Sequence, residues 1–417
     1  MSERTDCVVV GGGPAGMVLG LLLARAGVEV TVLEKHGDFL RDFRGDTVHP
    51  STMQLLDELG LGEKFAALPQ SRISEVVIPR GDGDRTVVAD LRMLKTAHPY
   101  IAMVPQWDLL SLLAEAGRAE PTFTLRMNTE VTDLIGEAGR VAGVRYREAD
   151  GKTGELRANL VVGCDGRWSV VRQKAGLEPR EFAVPMDTWW FRLPRDEGEI
   201  RTLAPIVNDG SFVSLIPREG YFQIGYSMRK GIDARLREEG LDRFRERIAE
   251  TLPMLADRVD AIESMDDVKH LDIRVNRLPR WHVDGLLCIG DAAHAMSPVG
   301  GVGINLAVQD AMATARLLAE PLRRGYVTEV DLAKVRRRRR LPTVAVQGLQ
   351  RILHSKVVKP AVEGRHADMP KPVAKILYLT RLLPSYLIGV GFRPEPVPAF
   401  ARRPSESPSV PVAEVAA

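Results

Sequence analysis

The apolar positions first fall in an unbroken run at Cys7-Val-Val-Val10, which reads as an interior parallel strand covered by helices on both faces. A glycine loop follows at once. Met17 to Ala26 predicts a helix ended by Gly27, and Val28 to Leu33 predicts a second strand closed by Glu34. This order is a βαβ unit. Ser51 to Leu59 is amphipathic at helical period and stops at Gly60. Ser74 to Pro79 and Arg85 to Ala89, either side of Gly81-Asp-Gly83, predict a hairpin. From Pro105-Gln106-Trp107 the pattern turns helical as far as Gly117, and strands resume at Thr122, Glu130, Val141 and Ala158.

Between about residues 178 and 270 the pattern becomes strand-like and rich in aromatics, at Thr188–Arg192, Phe212–Ile216 and Tyr221–Tyr226. A mostly antiparallel sheet inserted into the parallel fold is the expected architecture. Trp189, Phe191, Phe212, Phe222 and Tyr226 are its candidates for lining a pocket that takes a flat organic substrate. Trp281 to Gly285 reads as a hairpin turn, Leu286 to Ile289 as a buried strand, and the stretch from Asn305 as a long helix of small residues. Val344–Val358 and Pro372–Gly391 predict helices that cover the substrate sheet, form a dimer face or rest on a membrane surface.

Composition narrows the function classes. With 57 Lys and Arg against 55 Asp and Glu the net charge is +2, which argues against a nucleic-acid binder. Cys7, Cys164 and Cys288 are too scattered for a disulfide framework or a thiolate cage, so no metal is expected. No apolar run reaches the roughly 20 residues that span a bilayer, and no signal peptide is recognisable, so the expected location is cytoplasmic. Arg336 to Arg340 form the one dense charge run, expected on a solvated helix face or end, with contact to an acidic membrane, a partner or an NADPH phosphate as the alternatives.

Three motifs carry chemistry. Gly11-x-Gly13-x-x-Gly16, with Pro14 and Ala15 opening the helix, sits where backbone must approach a pyrophosphate at a helix amino terminus. Glu34, 18 residues beyond Gly16 and followed by Lys35, suits an adenosine ribose, and Arg44 lies where the chain returns towards the pyrophosphate. Asp165 and Arg172 form the second motif, in which Asp165 either caps the next helix or reaches a cofactor phosphate or ribose. The third runs from Gly290 and Asp291 through Pro298, Gly300, Gly301, Val302, Gly303, Ile304 and Asn305. Its glycines let main chain lie against a planar ring, and the helix behind it aims positive partial charge there. His294 reads as a packing or capping residue in preference to a base.

Together these motifs resemble the FAD-dependent aromatic hydroxylases of the para-hydroxybenzoate hydroxylase type, the class A flavoprotein monooxygenases. The resemblance spans roughly residues 5 to 320. It implies an α/β fold with an α+β insert: an FAD-binding βαβ fold with a parallel sheet, interrupted by a mostly antiparallel substrate-binding domain, plus C-terminal helices. The FAD-binding parts would be residues 1–73, 105–177 and 271–341, the substrate parts 74–104 and 178–270, the helical segment 342–395, and a flexible tail 396–417. It also implies that Glu34 binds the ribose, that Arg44 and Gln106 contact the phosphates or ribityl chain, that Asp165 supports FAD and nicotinamide binding, and that Asp291 holds the ribityl chain. The implied reaction is flavin-centred, with no protein residue singled out as catalytic: NADH or NADPH reduces FAD, O2 forms a flavin C4a-hydroperoxide, and one oxygen atom enters an aromatic, polycyclic or polyketide-like small molecule. A monomer or homodimer is expected. The alternative on the same scaffold is a flavin-dependent reductase or desaturase of an isoprenoid-like substrate, which would turn over without oxygen.

Overall fold

The computed structural model describes residues 3–40, 47–79, 85–196, 198, 204–208, 210–364, 375 and 378–404. Arg41, Arg44, the 81–83 turn and the chain beyond 404 lie outside them. The predicted βαβ unit is β1 (Glu3–Val10), α1 (Pro14–Arg25) and β2 (Val30–Leu33). Next come β3 (Thr47–Val48), α2 (Pro50–Glu58), α3 (Gly62–Ala66), β4 (Ser71–Ile73), the hairpin β5 (Glu75–Pro79) and β6 (Arg85–Asp90), and β7 (Ile101–Met103). Then α4 (Gln106–Arg118) leads through β8 (Phe123–Arg126), β9 (Thr129–Glu137) and β10 (Arg140–Glu148) to β11 (Thr153–Gly163) and α5 (Val170–Lys174).

The insert holds β12 (Arg180–Phe182), β13 (Met186–Pro194), β14 (Ala204–Asn208), β15 (Ser211–Pro217), β16 (Tyr221–Arg229), α6 (Asp233–Glu238), α7 (Gly240–Thr251), β17 (Lys269–Leu271) and β18 (Val275–Arg277). The chain returns through β19 (His282–Val283) and β20 (Leu286–Cys288), then forms α8 (Gly303–Arg323), α9 (Glu329–Leu353), α10 (Lys359–Val362) and α11 (Leu382–Gly389).

Among the described residues the main sheet runs β19-β20-β11-β1-β2-β8, with β10 and β9 added antiparallel beside β11. Its central pairs, β20-β11, β11-β1, β1-β2 and β2-β8, are parallel. Helices α1 and α8 pack together beside this sheet, which is why β1 is apolar without alternation and Cys7, Val8 and Val9 are fully buried. Burial pushes the Cys7 and Cys288 thiols up, and all three cysteines are free. The insert's sheet, β14-β15-β16-β13-β17, is antiparallel throughout. The β5-β6 hairpin lies against β14, joining the 74–104 segment to that sheet. The expected fold class is therefore the observed one.

Two expectations change. The arginine run is not simply a solvated face, because α9 continues through Pro342 and Arg339 is buried against Asp310 and Glu395. The division expected at 341/342 thus falls inside one helix. Part of the expected tail is docked: Val397 and Ala401 are buried, Arg25 donates to the Ala401 carbonyl at 2.8 Å, and Arg403 N–H donates to the Glu58 carbonyl. No helix among the described residues is long and apolar enough to cross a membrane. On α11, Leu382 and Leu383 are exposed while Ser385 Oγ accepts from the Asp90 N–H, fastening the helix to β6.

Candidate active site

Where β1 ends, Gly11 has φ +103°, and a Cβ there would lie 2.6 Å from the Cys164 carbonyl. The glycine loop and the Asp165 turn are consequently in contact. A Cβ on Gly16 would lie 2.0 Å from the Gly11 oxygen, whereas one on Gly13 would meet nothing within 4 Å. Pro14 opens α1, where its missing N–H costs nothing, and no side chain caps that helix. Its amino-terminal N–H groups stay available to an anion beside Gly13 and Ala15. Glu34 closes the far side: Oε2 accepts from Gly12 N–H at 2.8 Å and Oε1 from His36 N–H at 3.0 Å, while Lys35 is exposed. Gln106 is buried at the start of α4.

Asp165 does cap a helix. Its Oδ2 accepts from Val171 N–H at 3.1 Å, Ser169 caps alongside through Arg172 N–H, and Oδ1 has no hydrogen-bond partner among the described residues. Burial raises the Asp165 carboxyl above its ordinary range, opposed by the hydrogen bonds from Ser169 and the α5 amides. Arg172 is buried and acts as a clamp, donating to the Ala292 carbonyl at 3.1 Å and the Arg167 carbonyl at 2.8 Å. It therefore binds the Asp165 turn to the Asp291 turn through Nη1 and Nη2, while its Nε has no hydrogen-bond partner among the described residues. Asp291 stays partly exposed, 3.8 Å from the Arg167 guanidinium. Gly290, at φ +57°, fits between Ala15 of α1 and Ala307 of α8. His294 is structural: its Nε2 lies 2.5 Å from Asp310 and its ring packs on Trp281.

The loop before α8 is held from three sides. Thr47 Oγ1 donates to the Gly301 carbonyl at 2.7 Å, and His49 bridges that carbonyl, at 2.9 Å, to the Ile388 carbonyl of α11, at 2.7 Å. Burial lowers the His49 pKa against the pull of both carbonyls. Gln350 Nε2 donates to the Ser297 and Val299 carbonyls, and Asn305 Oδ1 accepts from the Ser51 and Thr52 hydroxyls. Held this way, Pro298 and Gly300 remain exposed, a Cβ on Gly300 or Gly303 would meet nothing within 4 Å, and α8 begins at Gly303 without a side-chain cap. Val302 precedes the helix and Ile304 is buried in its first turn. Thr47, Ser51, Thr52 and Gln350 were not evident from the sequence, since nothing local marks a residue as the prop of a distant loop. A second uncapped helix facing open, side-chain-free backbone fits a planar anionic ring as the first fits a pyrophosphate.

The aromatic candidates divide between the two faces of the substrate sheet. Trp189, Phe191, Phe222 and Tyr226 face α7, where the Trp189 and Phe191 rings stand 5.3 and 5.2 Å from Phe244. They are core residues, because neighbouring positions on a strand face opposite ways. The other face carries Trp190 opposite Gly225, Thr188 hydrogen-bonded to Ser227, and Phe212 opposite Ser227. Phe212 packs in a cluster with Met186, Ile273 and Val299 of the glycine loop. Trp190 packs towards Ile216, Met103 and Ile388, and its indole N–H has no hydrogen-bond partner among the described residues.

Comparison with known proteins agrees with this geometry. Residues 4–347 match a family described as FAD binding domain. The chain is 37% identical over 386 residues to 6-methylpretetramide 4-monooxygenase of Streptomyces rimosus, covering 90% of this chain and 88% of that one. It is 30% identical over 320 residues to rifampicin monooxygenase of Streptomyces venezuelae, covering 73% of this chain and 62% of that longer one. Among solved structures, the OxyS anhydrotetracycline hydroxylase from Streptomyces rimosus superposes with a TM-score of 0.75 at 23% identity, over 93% of this chain and 76% of that one.

Proposed function

The chain belongs to the FAD binding domain family and is an FAD-dependent monooxygenase of the aromatic hydroxylase type, and from that premise we propose that NADH or NADPH reduces it and that it places one oxygen atom from O2 on a polycyclic, phenolic polyketide. The observation that supports this most is that Val299, in the loop before α8, packs against the same apolar cluster, built on Met186 of the substrate sheet, that Phe212 packs against. The ring-binding backbone and the substrate wall meet there. Bound FAD supplies the redox chemistry. The residues of this chain hold and shield it: Gly13 and the α1 terminus receive the pyrophosphate, Glu34 the adenosine ribose, Asp291 the ribityl chain, and Gly300 to Asn305 the ring. The α8 terminus stabilises negative charge that develops on the ring. The substrate sheet and α11 exclude water from it. A cytoplasmic setting accords with three unpaired thiols.

The test is turnover with 6-methylpretetramide, the compound named for the Streptomyces rimosus relative, under labelled O2. One labelled oxygen per nicotinamide oxidised is the expected product. Turnover without oxygen, or hydrogen peroxide alone with every tetracyclic phenol tried, would overturn the reading. Asp291→Ala is expected to weaken FAD binding about tenfold or more, the worth of a hydrogen bond to a charged group. Flavin fluorescence on titrating apoprotein measures it, and unchanged affinity would remove Asp291 from the role.

A further inference from the structure

The buried ion pairs account for only part of the arginine run. Arg338 and Arg339 reach Glu395 and Asp310, but Arg340 has no ion pair among the described residues, and neither have Arg180, Arg277 and Arg351. These four come from β12, β18 and α9. Arg180 lies directly opposite Arg277 in the β12-β18 ribbon. The guanidinium carbons of Arg180, Arg277 and Arg351 stand 5.5, 5.4 and 4.9 Å from the centroid of one ring, Phe182. Arg277 is half-buried, and the charges of Arg340, Arg180 and Arg351 all bear on it. Glu181, the nearby acid of β12, is engaged by Asn276 at 3.0 Å.

Like charges directly opposite each other destabilise a strand pair. The face of Phe182 attracts each cation but does not cancel their mutual repulsion. An oxyanion would, and guanidinium forks suit phosphate oxygens in particular. Convergence on one ring suits a compact anion better than an extended acidic surface. The cluster is also one side chain from the cofactor turn. Arg277 donates to Gln347 Oε1 at 3.0 Å, and Gln347 Nε2 donates to the Asn276 carbonyl at 2.7 Å and to the Ala295 carbonyl, just past His294, at 3.1 Å. Gln350, on the same helix, holds Ser297 and Val299.

We propose that Arg180, Arg277 and Arg351, gathered on Phe182, with Arg340 close enough for its charge to bear on Arg277, form a binding site for a phosphate-bearing small anion, and that during turnover this anion is a phosphate of the nicotinamide reductant. The second half rests on the monooxygenase reading above; the first does not. Anchoring the reductant's phosphate here sets its other end beside the Asp291 turn.

Calorimetry on the FAD-loaded protein tests both halves, with inorganic pyrophosphate, NADP+ and NAD+ as probes. Arg180→Gln with Arg351→Gln is the informative variant, because both side chains are exposed, where substitutions cost little stability; Arg337→Gln, exposed on the same helix as Arg351, controls for the loss of a positive charge outside the cluster. Pyrophosphate is expected to bind the wild type one to one, about tenfold more weakly to the double variant, and unchanged to the control. Salt should weaken it. A matching loss for NADP+ supports the reductant assignment. Loss for pyrophosphate with NADP+ and NAD+ unaffected overturns that half and leaves a site for free phosphate. No binding to the wild type, or equal binding to the double variant, overturns the site itself. Intact phosphate binding in a protein that incorporates no labelled oxygen would count against the monooxygenase reading and not against the site.

Discussion

Asp310→Ala is expected to destabilise the protein by about 3–5 kcal/mol, because it takes the nearer ion-pair partner from the buried Arg339. Asp310 Oδ1 accepts from Arg339 Nε at 2.8 Å, Oδ2 lies 2.5 Å from His294 Nε2, and that same oxygen receives the Gly290 N–H at 3.2 Å. Asp310 and Arg339 are both essentially inaccessible to solvent. Arg339 also approaches Glu395, which Arg316 and Arg338 engage as well. The network therefore joins α8, α9, the cofactor turn and the chain after α11. Burial alone would raise the Asp310 carboxyl, but His294 and Arg339 outweigh it and hold the group below its ordinary range. A depressed carboxylate contributes stability above its unfolded value of about 3.9 and loses it only as pH falls through the folded value. Urea unfolding near neutral pH should show the full deficit in Asp310→Ala, and the deficit should shrink in strong acid. Arg339→Leu should be costly too, and the pair Asp310→Leu with Arg339→Leu should cost less than the sum of the single changes, since an apolar pair needs no partner. Strict additivity would show that the two groups do not act together.

That network also marks where sequence reasoning stops. Arg339 sits inside a run of five arginines, and its partners Asp310 and Glu395 are 29 and 56 positions away, so no local pattern separates it from its solvated neighbours. The glycine stations were legible for the opposite reason. Gly11, Gly16 and Gly290 are demanded by contacts with backbone or small side chains at fixed places in the fold, and such demands leave glycine in the sequence. The aromatic strands fall between these cases. Trp189, Phe191 and Leu193 on β13 share a face with Phe222, Ile224 and Tyr226 on β16 and with Val213 and Leu215 on β15. Every position of that set is apolar, as a face pressed against α7 requires. The other face mixes Thr188, Trp190, Arg192, Ser214, Gln223 and Ser227. An all-apolar face signals core and a mixed face signals a pocket wall, so the signal was present in the alternation, while aromatic content alone pointed to the wrong side. Arg172 was only half legible for a related reason: its charge suited a phosphate, yet its Nη1 and Nη2 donate to the carbonyls of Ala292 and Arg167, which leaves its Nε alone without a partner among the described residues.

Gly16→Ala and Gly13→Ala should separate folding from cofactor binding, though the two glycines belong to one loop. A Cβ on Gly16 would lie 2.0 Å from the Gly11 carbonyl, which is backbone and cannot turn aside. Either α1 or the end of β1 has to move, and both are packed into the main core. Loss of FAD together with loss of soluble, cooperatively folding protein is the expected result. Gly13 differs in both respects. Its backbone is extended, with φ −75° and ψ −177°, a conformation alanine adopts freely, and its Cβ would enter open space. The apoprotein of Gly13→Ala should therefore unfold within about 0.5 kcal/mol of the wild type. That open space lies over the uncapped end of α1, where a pyrophosphate must approach main chain closely. A methyl group there holds the phosphates away from the N–H groups, and FAD affinity should fall about a hundredfold, or ~2.7 kcal/mol. Fluorescence titration of apoprotein with FAD, beside urea unfolding of the same samples, reads both quantities. Tight FAD binding by Gly13→Ala would mean that the phosphates do not rest on this loop, whatever the fate of Gly16→Ala.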